Sequence, residues 1–141
     1  MIRPARSSDA AALAELVTQL GYPTNTAAAV QRLARLSSRP DHAVFVAEES
    51  GAVAGFIHVC IVETLENDPY AEIKGLIVAE RLRSRGIGHE LVAAAECWAA
   101  ERSLTRIRVR SNVKRERARS FYERHGYNVT KAANVFDKAV R

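Results

Sequence analysis

One stretch, "AEIKGLIVAERLRSRGIGHELV", Ala71 to Val92, constrains the fold more than any other. An apolar strand runs into a turn with two glycines two residues apart among three arginines, and good helix formers follow at once. A chain that passes from strand through glycine loop to helix is an α/β protein. Such a loop presents free backbone N–H groups and the positive end of a helix dipole, which together form an anion site. The expected anion is a phosphate group.

The flanking patterns supply the rest of a sheet. "MIRPA" reads as a short extended piece, and Asp9 is placed to cap a helix with Leu13, Leu16, Val17 and Leu20 at helical spacing. A second helix from about Ala27 to Leu36 is expected to bury Val30 and Leu33. The period then changes to two. "HAVFVAEESGAVAGFIHVCIVET" reads as two strands joined at "ESGA", with Val44 and Val46 on one face of the first and apolar residues on both faces of the second, so the second is central. After the loop, a helix carries Ile87, Leu91, Ala94 or Ala95, and Trp98 as its inner stripe. "TRIRVRSN" alternates Ile107 and Val109 against Arg106, Arg108 and Arg110. "KRERARSFYERHG" is a short helix with Ala118, Phe121, Tyr122 and His125 on one side, and "YNVTKAANVFDKAV" can supply a closing pair of strands.

At 141 residues with no linker or repeat, the expectation is a single domain spanning 1–141. Two cysteines, Cys60 and Cys97, lack metal-ligand spacing, and neither a signal peptide nor an apolar run of the ~18 residues that span a bilayer is present. The chain reads as cytoplasmic, with reduced thiols, no metal and no membrane partner. A net charge of +5 suits an anionic ligand, yet 21 basic and 16 acidic residues make a mixed surface. The few aromatics fall at core spacings, which speaks against a nucleic-acid partner using the Arg106, Arg108 and Arg110 row.

Three phosphate chemistries compete for the loop. A P-loop needs Gly-Lys-Ser or Gly-Lys-Thr where this chain has Gly88-His89-Glu90, and a dinucleotide fingerprint needs a third glycine where it has Leu91. The pattern R-x-x-G-x-G, read at Arg83, Gly86 and Gly88, resembles the acyl-CoA pyrophosphate loop of the GNAT superfamily of N-acetyltransferases. Two more features are similar to that superfamily. Leu76, Ile77 and Val78 match the strand whose backbone pairs with pantetheine. Asn112, Ala118, Phe121, Tyr122, Glu123, Gly126 and Tyr127 match its N-(x)n-A-x-x-F-Y-E-x-x-G-[FY] stretch.

The resemblance implies an α/β fold with a central mixed, mostly antiparallel twisted sheet flanked by helices. It also implies a V-shaped splay between the two middle strands, those ending at Val78 and Asn112, with acetyl-CoA as co-substrate in the V. Cofactor contacts are expected from Leu76, Ile77, Val78, Arg83, Ser84, Arg85, Gly86, Ile87, Gly88 and Asn112, with one of Arg81, Arg83 and Arg85 touching phosphate. An unpaired N–H near Val78 is expected to serve the thioester oxygen.

The implied reaction is attack of a primary amine, on a small molecule or a peptide, on a thioester in a ternary complex. At pH 7 an amine of pKa ~10.4 is neutral in only about one molecule in a few thousand, a handicap of roughly 4–5 kcal/mol, so a base or a proton path is needed. Glu72, on the strand entering the loop, is similar in spacing to the base glutamate of histone-acetylating members; a solvent-facing strand residue is the plainer reading. Ile107 stands where some ribosomal-protein acetyltransferases place their base. Tyr122 matches the acid that serves the leaving thiolate. His58 and Cys60 share a face with Phe56 and read as core. Substrate choice is expected from Leu20 to Pro40 and Leu65 to Tyr70. Glu63, Glu66, Asp68 and Glu72 suit either a cationic amine or a solvated acidic loop. The alternative class is a non-catalytic acyl-CoA-sensing module, and a homodimer is common in similar proteins.

Overall fold

Five strands form one sheet in the order β1-β2-β3-β4-β5, following the chain. They are β1 (Ile2–Pro4), β2 (His42–Glu49), β3 (Ala52–Val62), β4 (Tyr70–Val78) and β5 (Ile107–Val109). The first four are antiparallel and β5 joins β4 in parallel, which is the mixed, mostly antiparallel sheet expected. The computed structural model describes residues 1–111 and 114–140, in two compact units, Met1–Val109 and Arg110–Arg141. The first unit holds the sheet with α1 (Ala10–Gln19), α2 (Thr26–Ser37) and α3 (Ile87–Glu101), and the second holds α4 (Glu116–Arg124).

β3 lies at the centre, as its two-sided apolar pattern requires. Its connection to β2 is a two-residue turn in which Ser50 and Gly51 both take positive φ, 50° and 78°. That is the turn whose twist matches the flanking strands. On one sheet face, Leu13 of α1 and Leu33 of α2 meet Val46, while Leu16 meets Ile77, with Phe56 packed against both groups. On the other face α3 packs against β3 and β4. It buries Ile87, Leu91, Val92, Ala95, Trp98 and Ala99, and Leu91, Ile57 and Val59 are almost wholly sequestered.

Three expectations are corrected. Asp9 adjoins α1 but makes no side-chain cap to it. Its carboxylate turns back to accept the Arg6 N–H at 2.7 Å and hydrogen bonds from both terminal Arg3 guanidinium nitrogens at 2.8 and 3.0 Å, because a charged, partly buried guanidinium outcompetes an orphan helix N–H. Val30 is exposed, while Leu33 alone of α2 is buried. The α2 stripe that meets the sheet is narrower than an apolar count suggests, and Asn25 fixes its start by accepting the Ala28 N–H at 2.9 Å. The closing pair of strands does not form: no residue from Tyr127 to Val140 is in a strand. Val129, Val135, Phe136 and Val140 stay exposed. An isolated hairpin that buries no apolar face gains too little to offset chain ordering.

Candidate active site

β4 feeds a single 3-10 turn, Glu80–Leu82, and then the glycine loop. Ser84 takes φ 67°, and Gly86, immediately before α3, takes φ 81°. The first amide to find a helical acceptor is that of Glu90, on the Gly86 carbonyl at 3.1 Å. The N–H groups of Ser84, Arg85, Gly86, Ile87 and Gly88 therefore precede the helical ladder, at the positive end of a fifteen-residue helix. A Cβ built on Gly86 meets nothing within 4 Å, so packing within the protein does not demand glycine here. Its φ does, and open space lies over the backbone. Arg81, Arg83 and Arg85 are all exposed, and among the described residues none of them makes an ion pair.

β4 and β5 pair only from Ala71 to Ile73, against Ile107 to Val109. From Lys74 to Val78, β4 keeps β3 on one side and, among the described residues, has no strand on the other. This is the splay. Ala79 donates to the Ala54 carbonyl at 2.8 Å, so the antiparallel alternation turns the N–H groups of Val78 and Leu76 away from β3, toward the open edge. An acyl-pantetheine chain, itself an amide ladder, is what such an edge can take.

A bulge shapes the other end of β4. Gly75 stands opposite His58 and Ile73 opposite Val59, leaving Lys74 as the extra residue. Glu72, opposite Cys60, is buried, and the Lys74 ammonium lies 2.6 Å from its Oε2. Lys74 and Gly75 reach a cleft of about 290 Å³ between α1, α2 and the sheet. Leu20, Tyr22, Thr24, Arg32 and Leu36 line it from the segment expected to choose the substrate. Glu72 is not among the lining residues; Lys74 is its link to the cleft. Glu63, Glu66 and Asp68 are exposed and lie outside the cleft wall, as a solvated acidic loop does.

Open strand edge, glycine loop and cleft thus follow one another along β4. The Acetyltransferase (GNAT) family model matches residues 10–127. The chain belongs to the GNAT acetyltransferase family. It is similar to the uncharacterised N-acetyltransferase YhfO of Bacillus subtilis strain 168, at 29% identity over 132 residues, 89% of this chain and 88% of that protein. Its fold is also that of the aminoglycoside acetyltransferase AAC(6')-Iy, solved with the bisubstrate analog CoA-S-monomethyl-acetylneamine. The TM-score is 0.87 at 19% identity, over 99% of this chain and 98% of that one. A GNAT family acetyltransferase of Staphylococcus aureus gives a TM-score of 0.79 at 22% identity, over 99% and 98%.

The remaining GNAT positions lie in the second unit. Tyr122 on α4 packs edge-on against Phe121 and Tyr127, with ring centres 5.1 and 5.6 Å away. Burial pushes its phenol up to about 12, so it keeps its proton throughout the physiological range. Asn112 lies outside the described residues. Sequence reasoning missed His58, which it placed in the core. The structure puts the ring at the cleft wall, with its Nε2 2.9 Å from Nδ1 of His42 on β2. Burial, with His42 and Lys74 nearby, lowers His58 to about 4 and holds it neutral. The one available signal was the alternation that sets His58 beside Phe56. Partnership with His42 depends on the β2–β3 register.

Proposed function

We propose that the protein is an N-acetyltransferase, moving the acetyl group of acetyl-CoA to a primary amine of a small molecule or peptide by direct attack in a ternary complex. The observation that carries this reading is the unpaired β4 edge leading, through one 3-10 turn, into a loop whose glycine is left-handed and uncrowded. Those residues fit coenzyme A. The loop amides from Ser84 to Gly88, backed by the exposed arginines, would take the pyrophosphate; the Arg83 N–H is already given to the Glu80 carbonyl at 3.3 Å, which leaves Arg83 its side chain. The edge at Leu76, Ile77 and Val78 would take pantetheine, and Asn112 is assigned to the cofactor by its match to the family motif. Bound acetyl-CoA supplies the activated acyl group. The family match across residues 10–127 spans both compact units and supports one acetyltransferase domain over 1–141.

In this reading Glu72 accepts the proton of the incoming ammonium, and its burial keeps that exchange away from bulk water. Lys74 must release Oε2 for the transfer to occur. Tyr122, protonated at neutral pH, gives its proton to the departing thiolate, and the Val78 N–H serves the carbonyl oxygen. The Lys74 contact is also the specific observation that favours a second reading, a non-catalytic acyl-CoA sensor with Glu72 held as a structural ion pair.

Release of free thiol from acetyl-CoA across a panel of amines tests the two readings, with calorimetry of CoA binding alongside. Enzyme and sensor both bind CoA; only the enzyme releases thiol in step with the amine. On a confirmed acceptor, Tyr122→Phe should cut turnover by ~10² or more with CoA affinity little changed. Glu72→Gln should slow the reaction chiefly near neutrality, the deficit closing as pH approaches the amine's own pKa and the substrate arrives neutral. A Glu72→Gln profile parallel to wild type would remove Glu72 as base.

A further inference from the structure

We infer that the acceptor is a primary amine on an apolar body with one anionic group at its far end, met by Arg32, and that polycationic amines are excluded. The inference rests on the acetyltransferase reading and deepens it by naming the substrate class.

The cleft places the acceptor. Its floor includes Gly75 and Ile77, which flank Leu76 on the strand whose open edge fits pantetheine, so a group seated there approaches the acyl position. Leu13, Val17, Leu33, Leu36, Phe56 and Ile77 make the wall predominantly apolar. At about 290 Å³ it is a small ligand site, against roughly 300–1,000 Å³ for typical ones.

Charge decides what can enter. Five polar side chains, Tyr22, Thr24, Arg32, His58 and Lys74, reach the cleft, and among the described residues no Asp or Glu lines it. Lys74 is neutralised by Glu72 at 2.6 Å, and His58 is neutral. Arg32 remains, exposed, with one nitrogen donating to Thr24 Oγ1 at 3.1 Å and no ion pair among the described residues. A polyamine or an aminoglycoside would bring several ammonium groups into an apolar space with no carboxylate to receive the second or third, and burial of an unpaired charge is costly. An apolar body gains from the walls instead. A carboxylate on it finds a guanidinium whose fork matches it in two parallel hydrogen bonds.

The test uses three probes: phenethylamine, 4-(2-aminoethyl)benzoate, which adds a carboxylate at the far end, and spermidine. Thiol release gives kcat/KM for each, and calorimetry in the presence of CoA gives binding. The aminobenzoate should exceed phenethylamine by about tenfold or more, the worth of one charge-assisted hydrogen bond, and spermidine should trail both. Arg32→Ala, at an exposed helix position, should collapse the ratio between the first two toward one. Spermidine as the best acceptor, an unchanged ratio in Arg32→Ala, or failure of the two aromatic amines both to react and to bind would each overturn the inference. CoA calorimetry separates the levels. If CoA binds while the probe order is wrong, the substrate class alone is lost; if CoA does not bind, the acetyltransferase reading falls with it.

Discussion

Replacing Gly86 by valine tests whether the loop is built for a phosphate ligand. Gly86 sits at φ 81°, and a Cβ there touches nothing within 4 Å. The added Cβ meets no obstacle, so the first cost of valine to the fold is conformational. It is about 1–2 kcal/mol for a left-handed L-residue, more for a branched one. The strain is relieved if the residue leaves the left-handed region, and that rotation re-aims the amides on either side. Loss of two charge-assisted N–H bonds to phosphate, at ~1.5–3 kcal/mol each, lowers CoA affinity by 10²-fold or more. Gly51 supplies the matched control, at φ 78°, equally uncrowded, and in the β2–β3 turn. Gly51→Val should cost comparable stability and leave CoA binding intact. Thermal unfolding and CoA calorimetry on both variants measure the two quantities. If Gly86→Val bound CoA as tightly as wild type, the loop amides would not be the phosphate site.

Gly55→Ala should destabilise by about 1–3 kcal/mol, with a lower denaturant midpoint at unchanged slope. The added carbon falls 2.6 Å from the Ile77 carbonyl and 3.2 Å from Val78 Cα, both backbone, so β3 and β4 must part; a wild-type midpoint would refute the contact. The Asp9 carboxyl is held below its ordinary 3.8, chiefly by hydrogen bonds from Arg3. Its contribution is present above the unfolded-state pKa and disappears as pH falls through the lowered folded value. Denaturation at pH 6 and pH 3 should show an acid loss that is smaller in Asp9→Asn; an equal loss would place the titration elsewhere.

What was legible in the sequence is what local pattern encodes. The change from helical spacing to period two at His42 located β2, the two-sided apolarity of "FIHVCIV" made β3 central, and "SG" marked a turn that needs two positive φ values. The strand, glycine loop and helix were legible because the left-handed turn before α3 is written in a glycine. The cleft was not. Arg32 is one of several exposed positions on α2, and only the packing of that helix against the sheet selects it. His58 looks like any strand residue until register sets it beside His42. The tail after Tyr127 has apolar residues at strand-like intervals, but local pattern alone does not say whether they find a surface to cover.

Lys74 shows why pattern fell short at the site itself. Read with strict alternation, "EIKGLIV" sets Glu72, Lys74, Leu76 and Val78 on one face. The bulge spends one residue without advancing the pairing, so Glu72 stands opposite Cys60, Gly75 opposite His58 and Ile77 opposite Phe56. These three share the face that α1 and α2 cover. The extra residue therefore brings the buried carboxylate, the glycine floor of the cleft and the core contact of Ile77 onto one side, while Leu76 and Val78 turn to the other with their amides at the open edge. Base candidate and cleft lie on the same face because β4 sets nine residues, Tyr70 to Val78, against eight of β3, Gly55 to Val62. The bulged residue is also the lysine that pairs with the carboxylate, so one device both places Glu72 and holds it.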